Sequence, residues 1–325
     1  MAVPARIRYL WRVIALLERT GSSSDDPRSV RADRERRQRL TRLPVAWIVT
    51  GRPDRAVQIE ERSAQLSDGT VVPLRVYRPR GTGDRDLPVV LNFHGGGWVS
   101  GDARQSEWWC SKVAAGAGVA VVSVDYRLAP EHPFPTPVED CYAATAWVVD
   151  HADELQVDAS RVAVMGDSAG GNLAAAVSLI ARDRSGPPIA AQVLIYPCVE
   201  LVQGFPSEVE NANGPVLTKA AMDLYSRYYR DGSDGTHPYA SPLRAEHANL
   251  PRALIQTAQH DPLRDQGVAY AAALRAAGVP VRLTNYEHAV HGYASMPGFV
   301  PQAHKAVAEV VAELREVLAS TVRPQ

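Results

Sequence analysis

The feature that most constrains the fold is a short stretch where an apolar run meets two glycines and a serine. Residues 162–165 are typical of a buried strand, Gly166-Asp167-Ser168-Ala169-Gly170 follows, and small residues over 172–181 predict a helix. A chain that turns this sharply brings two backbones together, so side chains at the glycine positions would clash. The stretch predicts a strand, a tight turn presenting the Ser168 hydroxyl, and a helix. The same residues also fit a turn without any chemical role.

Strands alternate with helices along most of the chain. A hairpin is predicted at residues 57–61 and 71–77, around Asp68-Gly69. Six further runs read as buried strands: 89–93, 119–124, 161–165, 191–196, 253–258 and 281–286. Helical patterns lie between most of them and after the last, at 104–117, 138–151, 169–181, 264–277 and 303–319. This alternation predicts an α/β fold with a mostly parallel eight-stranded sheet covered by helices on both faces.

Two segments interrupt the alternation. Residues 7–17 carry apolar side chains at helical spacing, and the highly charged residues 28–42 also predict a helix. Residues 200–250 are rich in Gly, Pro, Asn and Asp, with one helical pattern over 218–229. This insertion follows the strand after Ser168, at the sheet edge where open α/β folds bind ligands. We therefore expect residues 1–50 and 200–250 to form a cap over a core of residues 51–199 and 251–325. The alternative for residues 7–17 is a helix that lies on a membrane surface.

Composition excludes several classes of protein. The formal net charge is -1 and no basic face stands out, which argues against nucleic-acid binding. Cys110, Cys141 and Cys198 are far apart, so they predict neither a disulfide framework nor a zinc site and suit a reducing compartment. Arg12 and Glu18 interrupt the only signal-like run, and no apolar stretch approaches the ~20 residues that span a bilayer. A cytoplasmic protein without stable membrane insertion is expected.

A serine nucleophile needs a base, and the base needs a carboxylate that orients it. In α/β enzymes whose nucleophilic serine lies on such a strand–turn–helix element, the chain order is serine, acid, histidine. Asp261 directly follows a predicted buried strand and precedes Pro262, so it also fits a helix N-cap. Asp265 lies one turn into the next helix, where it would complement the helix dipole. His291 precedes a glycine that lets the loop turn and is the preferred base, with His288 as the alternative.

A second loop offers backbone donors. His94-Gly95-Gly96-Gly97-Trp98 ends a buried strand, and its glycines expose N–H groups that, with the N–H of Ala169, suit a developing oxyanion. No Gly-Lys-Ser/Thr follows, which argues against a phosphate-binding loop. The pair His288 and His291 does not match a zinc-binding helix, so no metal is predicted.

These motifs in combination resemble the hormone-sensitive lipase family of α/β-hydrolase carboxylesterases, in its bacterial type. The resemblance covers roughly residues 57–320. It rests on the loop at 94–98, the segment Asp125-Tyr126-Arg127-Leu128-Ala129-Pro130-Glu131-His132-Pro133-Phe134-Pro135, the turn at 166–171, and the stretches 261–265 and 291–293. Tyr293 replaces the commoner phenylalanine, and His288 stands where small or acidic residues are usual. The segment at 125–135 is interpreted as support behind the glycine loop.

The resemblance implies roles for individual residues. Ser168 would be the nucleophile, His291 the general base and then acid, and Asp261 its orienting partner. The N–H groups of Gly96, Gly97 and Ala169 would bind the oxyanion. The family hydrolyses short- to medium-chain carboxylic esters without cofactors, carries a two-part cap, and often dimerises through a sheet edge.

The hypothesis is therefore a serine carboxylesterase whose partner is a small-molecule ester. One alternative keeps the chemistry but acts on an amide, a lactone or an acetylated sugar. Another is a non-catalytic small-molecule receptor on the same scaffold, which the retained His291 disfavours. Aromatic residues of the glycine loop and the insertion suggest an acyl pocket; they are Trp98, Phe205, Tyr225, Tyr228 and Tyr229.

Overall fold

The computed structural model describes residues 26–83 and 85–319. The predicted helix at 7–17 lies outside the described residues. Eight strands are formed: β1 Val57–Gln65, β2 Val71–Pro79, β3 Leu87–Phe93, β4 Ala120–Val124, β5 Val157–Asp167, β6 Ile189–Ile195, β7 Arg252–His260 and β8 Val281–Val290. All eight predicted strands are present, and all except β4 extend beyond their predicted bounds. The prediction that residues 281–286 are buried is wrong: they are half-buried or exposed, because β8 lies at one end of the sheet.

The strands form one sheet in the order β1-β2-β4-β3-β5-β6-β7-β8. The β1–β2 and β2–β4 pairs are antiparallel, whereas all pairs from β4 to β8 are parallel. This confirms the predicted mostly parallel sheet of eight strands. The parallel arrangement brings the carboxyl ends of β3, β5, β6, β7 and β8 to one edge.

Helices cover the sheet and extend beyond it. They are α1 Pro27–Thr41, α2 Trp47–Thr50, α3 Glu107–Ala117, α4 Thr136–Asp150, α5 Ala152–Leu155, α6 Ala169–Asp183, α7 Pro206–Glu210, α8 Lys219–Arg230, α9 Arg264–Ala276 and α10 Gln302–Val317. The predicted helices at 28–42 and 218–229 are confirmed as α1 and α8. Helices α2, α5 and α7 were not predicted, because four or five residues are too few to show a helical period. None of the described helices is long and apolar enough to cross a membrane.

The core has one layer on each face of the sheet. Along β5, Val164 packs into one apolar cluster with Leu173 of α6, whereas Met165 packs into the other with Val310 of α10. Successive side chains of a strand point to opposite faces, so a central strand must be apolar throughout. This explains why β3 is buried along its whole length. The central strands therefore give the loops at their carboxyl ends a rigid base.

Candidate active site

The turn between β5 and α6 holds Ser168 in a strained conformation. Its φ of 57° and ψ of -116° lie outside the regions that residues with a side chain normally adopt. The Ser168 N–H donates to the Ile195 carbonyl of β6 at 2.8 Å. A Cβ on Gly166 would collide with the Gly170 carbonyl, and one on Gly170 would collide with the Phe93 carbonyl. The two glycines thus permit the close approach that presents a half-buried Ser168.

His291 and Asp261 lie beside Ser168, on the loops that follow β8 and β7. The distance from His291 Nε2 to Ser168 Oγ is 2.9 Å, and that from His291 Nδ1 to Asp261 Oδ2 is 2.8 Å. Asp261 is fully buried, and its second oxygen, Oδ1, accepts the Leu263 N–H at 2.8 Å. The Asp261 carboxylate thus hydrogen-bonds both to the His291 ring and to the Leu263 N–H, just before α9 begins. The structure brings together the three residues that the sequence analysis selected.

The alternative residues lie elsewhere. Strand β8 continues through His288, which is exposed on its surface, whereas His291 is only 7% exposed. Asp265 makes reciprocal bonds with Ser207 of α7: its Oδ2 accepts the Ser207 N–H at 2.9 Å, and its N–H donates to Ser207 Oγ at 3.1 Å. Asp265 therefore attaches the insertion to the core.

Three backbone N–H groups of interest lie at this edge of the sheet. Gly96 and Gly97 have φ values of 123° and 63°, a region in which glycine is favoured. Within the part of the chain that the structure describes, the N–H groups of Gly96, Gly97 and Ala169 donate to no protein acceptor. Ala169 begins α6, so its N–H also belongs to the positive end of a helix dipole. These groups are suited to bind negative charge.

The segment at 125–135 packs behind the glycine loop. The Tyr126 hydroxyl donates to the His94 carbonyl at 2.6 Å, and the two rings stack with centroids 4.3 Å apart. Arg127 forms a salt bridge with the buried Asp140 of α4 at 2.6 Å. These contacts agree with the interpretation of this segment as structural support.

Sequence reasoning missed Asp167 and Tyr196. Asp167 Oδ1 accepts the Gly95 N–H at 2.9 Å, and its Oδ2 accepts the Tyr196 hydroxyl at 3.3 Å. Burial raises the pKa of the Asp167 carboxyl, whereas the Gly95 N–H and the nearby His94 and His291 rings oppose that rise. The signal was present, because a carboxylate inside a buried turn needs polar partners.

The residues predicted to line the acyl pocket differ in their exposure and in their contacts. The Tyr225 ring of α8 occupies the space where a side chain on Gly97 would stand, so it lies directly over the glycine loop. Trp98 differs from the expectation: it is 3% exposed and stacks on Tyr229 with centroids 4.3 Å apart, so its ring packs inside the protein. Phe205 is half-buried just before α7.

The N-terminal segment reaches the same edge. Arg34 of α1 donates to the carbonyls of Val99 and Ala129, each at 2.7 Å. The Gly298 N–H donates to the Val49 carbonyl of α2 at 3.1 Å, which joins this segment to the chain beyond His291. Among residues 26–83 and 85–319, no group of three or more His, Cys, Asp or Glu residues could hold a metal ion.

Comparison with known proteins places this arrangement among hydrolases. A family model described as alpha/beta hydrolase fold matches residues 90–295. Esterase LipI of Mycobacterium tuberculosis is 46% identical over 273 residues, covering 82% of this chain and 85% of the relative. Carboxylesterase NlhH of the same organism is 44% identical over 267 residues, covering 81% and 83%. The solved structure of a hyperthermophilic esterase from the archaeon Pyrobaculum calidifontis superposes with a TM-score of 0.87 at 37% identity, covering 97% of this chain and 99% of that one.

Proposed function

Since this chain belongs to the alpha/beta hydrolase family and is a carboxylic ester hydrolase, we propose that it acts as a serine carboxylesterase through Ser168, His291 and Asp261. The observation that carries this proposal is the continuous line of hydrogen bonds from Asp261 through His291 to Ser168, at 2.8 and 2.9 Å. These distances lie within the reach required for proton transfer between a nucleophile and its base.

In the acylation step, Ser168 Oγ attacks the ester carbonyl carbon as its proton passes to His291 Nε2. The imidazolium that forms donates through Nδ1 to the buried Asp261 carboxylate, which holds the ring in one orientation. The tetrahedral intermediate then collapses as the C–O bond to the alcohol breaks. His291 returns its proton to the departing alcohol oxygen, leaving an acyl group on Ser168.

In the deacylation step, the same groups act on water. His291 Nε2 removes a proton from the water as its oxygen attacks the acyl carbon. The second tetrahedral intermediate collapses when the bond to Ser168 Oγ breaks, and His291 returns the proton to that oxygen. The acid leaves, and the free enzyme is restored.

The N–H groups of Gly96, Gly97 and Ala169 would stabilise the oxyanion of both intermediates. The loss of one such donor typically costs about 3 kcal/mol of transition-state stabilisation. The geometry supports this role because all three groups lack a partner among the described residues. The N-terminal position of Ala169 on α6 adds a favourable dipole.

The cap would determine which esters enter. Residues 26–50 and 200–250 would form it, since both segments contact the edge that carries Ser168. Tyr225 lies over Gly97, so it would limit the space beside the ester carbonyl and favour short to medium acyl chains. Phe205 would extend the same wall. Amides, lactones and acetylated sugars remain substrates that this chemistry could also process.

The proposal is tested by measuring kcat/KM for p-nitrophenyl esters from acetate to palmitate. The wild type and Ser168→Ala are compared with Ser178→Ala, which replaces a buried serine of α6 whose hydroxyl donates to the Ala174 carbonyl. We expect a maximum at short or medium chains that is absent from Ser168→Ala and kept by Ser178→Ala. Turnover retained by Ser168→Ala would disprove the mechanism. A folded wild type that cleaves no ester would favour the receptor or a non-ester substrate.

A further inference from the structure

Asp167 is the last residue of β5 and directly precedes Ser168, but the proposed mechanism gives it no role. Its two carboxylate oxygens face two different parts of the site: Oδ1 accepts the Gly95 N–H of the glycine loop at 2.9 Å, and Oδ2 accepts the Tyr196 hydroxyl at 3.3 Å. A charged oxygen makes a stronger acceptor than a neutral one. The carboxylate is thus a shared anchor for the loop and for Tyr196.

The bond to Gly95 fixes one of two consecutive peptide units in the loop. In the first unit, the Gly95 N–H donates to Asp167, and the His94 carbonyl accepts the Tyr126 hydroxyl at 2.6 Å. In the second unit, the Gly95 carbonyl accepts from His94 Nδ1 at 2.9 Å and from Gln105 Nε2 at 3.4 Å. Because a trans peptide is planar, its N–H points opposite to its carbonyl. The direction of the Gly96 N–H therefore depends on how both units are held.

The hydrogen bond between Asp167 and Tyr196 connects Asp167 to His291, the proposed base. The Tyr196 ring lies against the His291 ring, with centroids 4.8 Å apart. Tyr196 has a φ of 38°, which is rare for a bulky side chain, and its N–H donates to the Gln256 carbonyl at 2.6 Å. Strained backbone of this kind persists only where the surroundings hold it in place. Asp167 supplies the one side-chain hydrogen bond that the Tyr196 hydroxyl makes among the described residues.

We propose that Asp167 is a positioning residue for the transition state, which aligns the N–H groups of Gly96 and Gly97 through Gly95 and holds Tyr196 against His291. This inference rests on the proposed function, since it assigns Asp167 to the same reaction. Asp167 acts through its neighbours and transfers no proton. Its removal should therefore weaken binding of the tetrahedral intermediate more than binding of the ester.

The test compares Asp167→Ala with Asp167→Asn, which keeps an oxygen that can accept the Gly95 N–H. The readouts are kcat and KM for p-nitrophenyl butyrate, per titrated active site, and Ki for a trifluoromethyl ketone that forms a tetrahedral adduct on the serine. We expect Asp167→Ala to lose about 100-fold in kcat, as for a lost oxyanion donor. KM should change by less than about threefold, and Ki should rise in proportion to the loss in kcat/KM. Asp167→Asn should stay within about tenfold of wild type, because the hydrogen-bond geometry is kept.

Two further variants separate this role from a loss of folding. Glu313→Gln neutralises another buried carboxylate, which lies on α10 away from the glycine loop and pairs with Arg252, and should leave kcat and Ki unchanged. Tyr196→Phe removes the hydroxyl that donates to Asp167 but keeps the ring, and should lower kcat severalfold at constant KM. This variant carries the test if Asp167→Ala does not fold. Wild-type kcat and Ki in Asp167→Ala, or in Tyr196→Phe where that variant carries the test, would overturn the inference. A lower kcat with unchanged Ki would overturn it as well. Full activity in Ser168→Ala would instead refute the proposed function.

Discussion

The loops at the edge of the sheet and the proposed cap, residues 26–50 and 200–250, are built differently. Ser168, Asp261 and His291 each lie on a short connection that directly follows a strand of the sheet, and each makes hydrogen bonds to fixed partners. In the cap, helices α1, α2 and α7 and the turn between the first two leave large apolar side chains exposed. Among them are Leu40 at 55%, Val45 at 64%, Ile48 at 64% and Val209 at 82%.

The difference separates two requirements of one enzyme. The chemistry needs groups held within a few tenths of an ångström, which buried strands and close backbone contacts provide. Substrate choice needs only a surface of suitable shape, which loop-rich segments with exposed side chains can provide and which tolerates change. We therefore expect substitutions at the sheet edge to abolish the reaction and substitutions in the cap to alter its substrate range.

The largest effect is expected at the base. His291→Ala should lose on the order of 10⁴- to 10⁶-fold in kcat, because Ser168 then has no proton acceptor. His288→Ala is the matched control, since His288 is exposed on β8 only three positions earlier, and should stay within about twofold of wild type. Steady-state kinetics on p-nitrophenyl butyrate measure both. A large loss in His288→Ala with activity kept in His291→Ala would reverse the assignment.

The next contrast uses two glycines. Gly170→Ala forces a Cβ onto the Phe93 carbonyl, and overpacking of this kind should destabilise the fold by about 3 kcal/mol. Gly232, in the cap, has a φ of 84° and no neighbouring atom within 4 Å of the position that a Cβ would take, so Gly232→Ala should cost only the backbone strain, about 1 kcal/mol. Urea unfolding gives both free energies of unfolding. Equal costs would mean that the core and the cap are packed alike.

A cap residue should change selectivity rather than chemistry. Tyr225→Ala opens space over Gly97, so we expect kcat/KM for long acyl chains to rise relative to short ones by about tenfold. Val209→Ala, on the exposed surface of α7, should leave the chain-length profile unchanged. The measurement is kcat/KM of both variants across p-nitrophenyl esters of increasing acyl-chain length. A uniform loss at every chain length in Tyr225→Ala would place this residue in the chemical step instead.

The smallest effect is expected at Cys198, which lies at the boundary between the core and the 200–250 insertion. Burial raises the pKa of Cys198 from 9.0 to about 12, so its thiol should be protonated and unreactive at pH 8. All three cysteines are buried, and native protein should release almost no chromophore from Ellman's reagent. Because the folded pKa of Cys198 exceeds its unfolded value, this group should lower stability as the pH rises from about 9 through 12. Fast labelling of any thiol in the native state would contradict this prediction.

Much of this molecule follows from local sequence patterns. The period and composition of the strands predict their number, although not the exposure of β8 at the end of the sheet. The glycines around Ser168 predict a turn that only small residues permit. The helices α2, α5 and α7 were missed because they are too short to carry a periodic pattern. Trp98 was expected to line a pocket, and its ring packs inside the protein against Tyr229. Local sequence does not show which way an aromatic ring beside a glycine loop packs.

By itself, the sequence determined the chain order of Ser168, Asp261 and His291, because each follows a strand that its composition makes recognisable. Only the tertiary structure shows that His291, and not His288, lies beside Ser168, since β8 continues past its predicted end and leaves His288 exposed on its surface. It also decided that Asp167 meets Gly95 and Tyr196, and that Tyr225 covers Gly97. These contacts join residues that are distant in the chain, and their distances depend on how strands and helices pack. Local patterns predict the elements, whereas the packing between them positions the chemical groups.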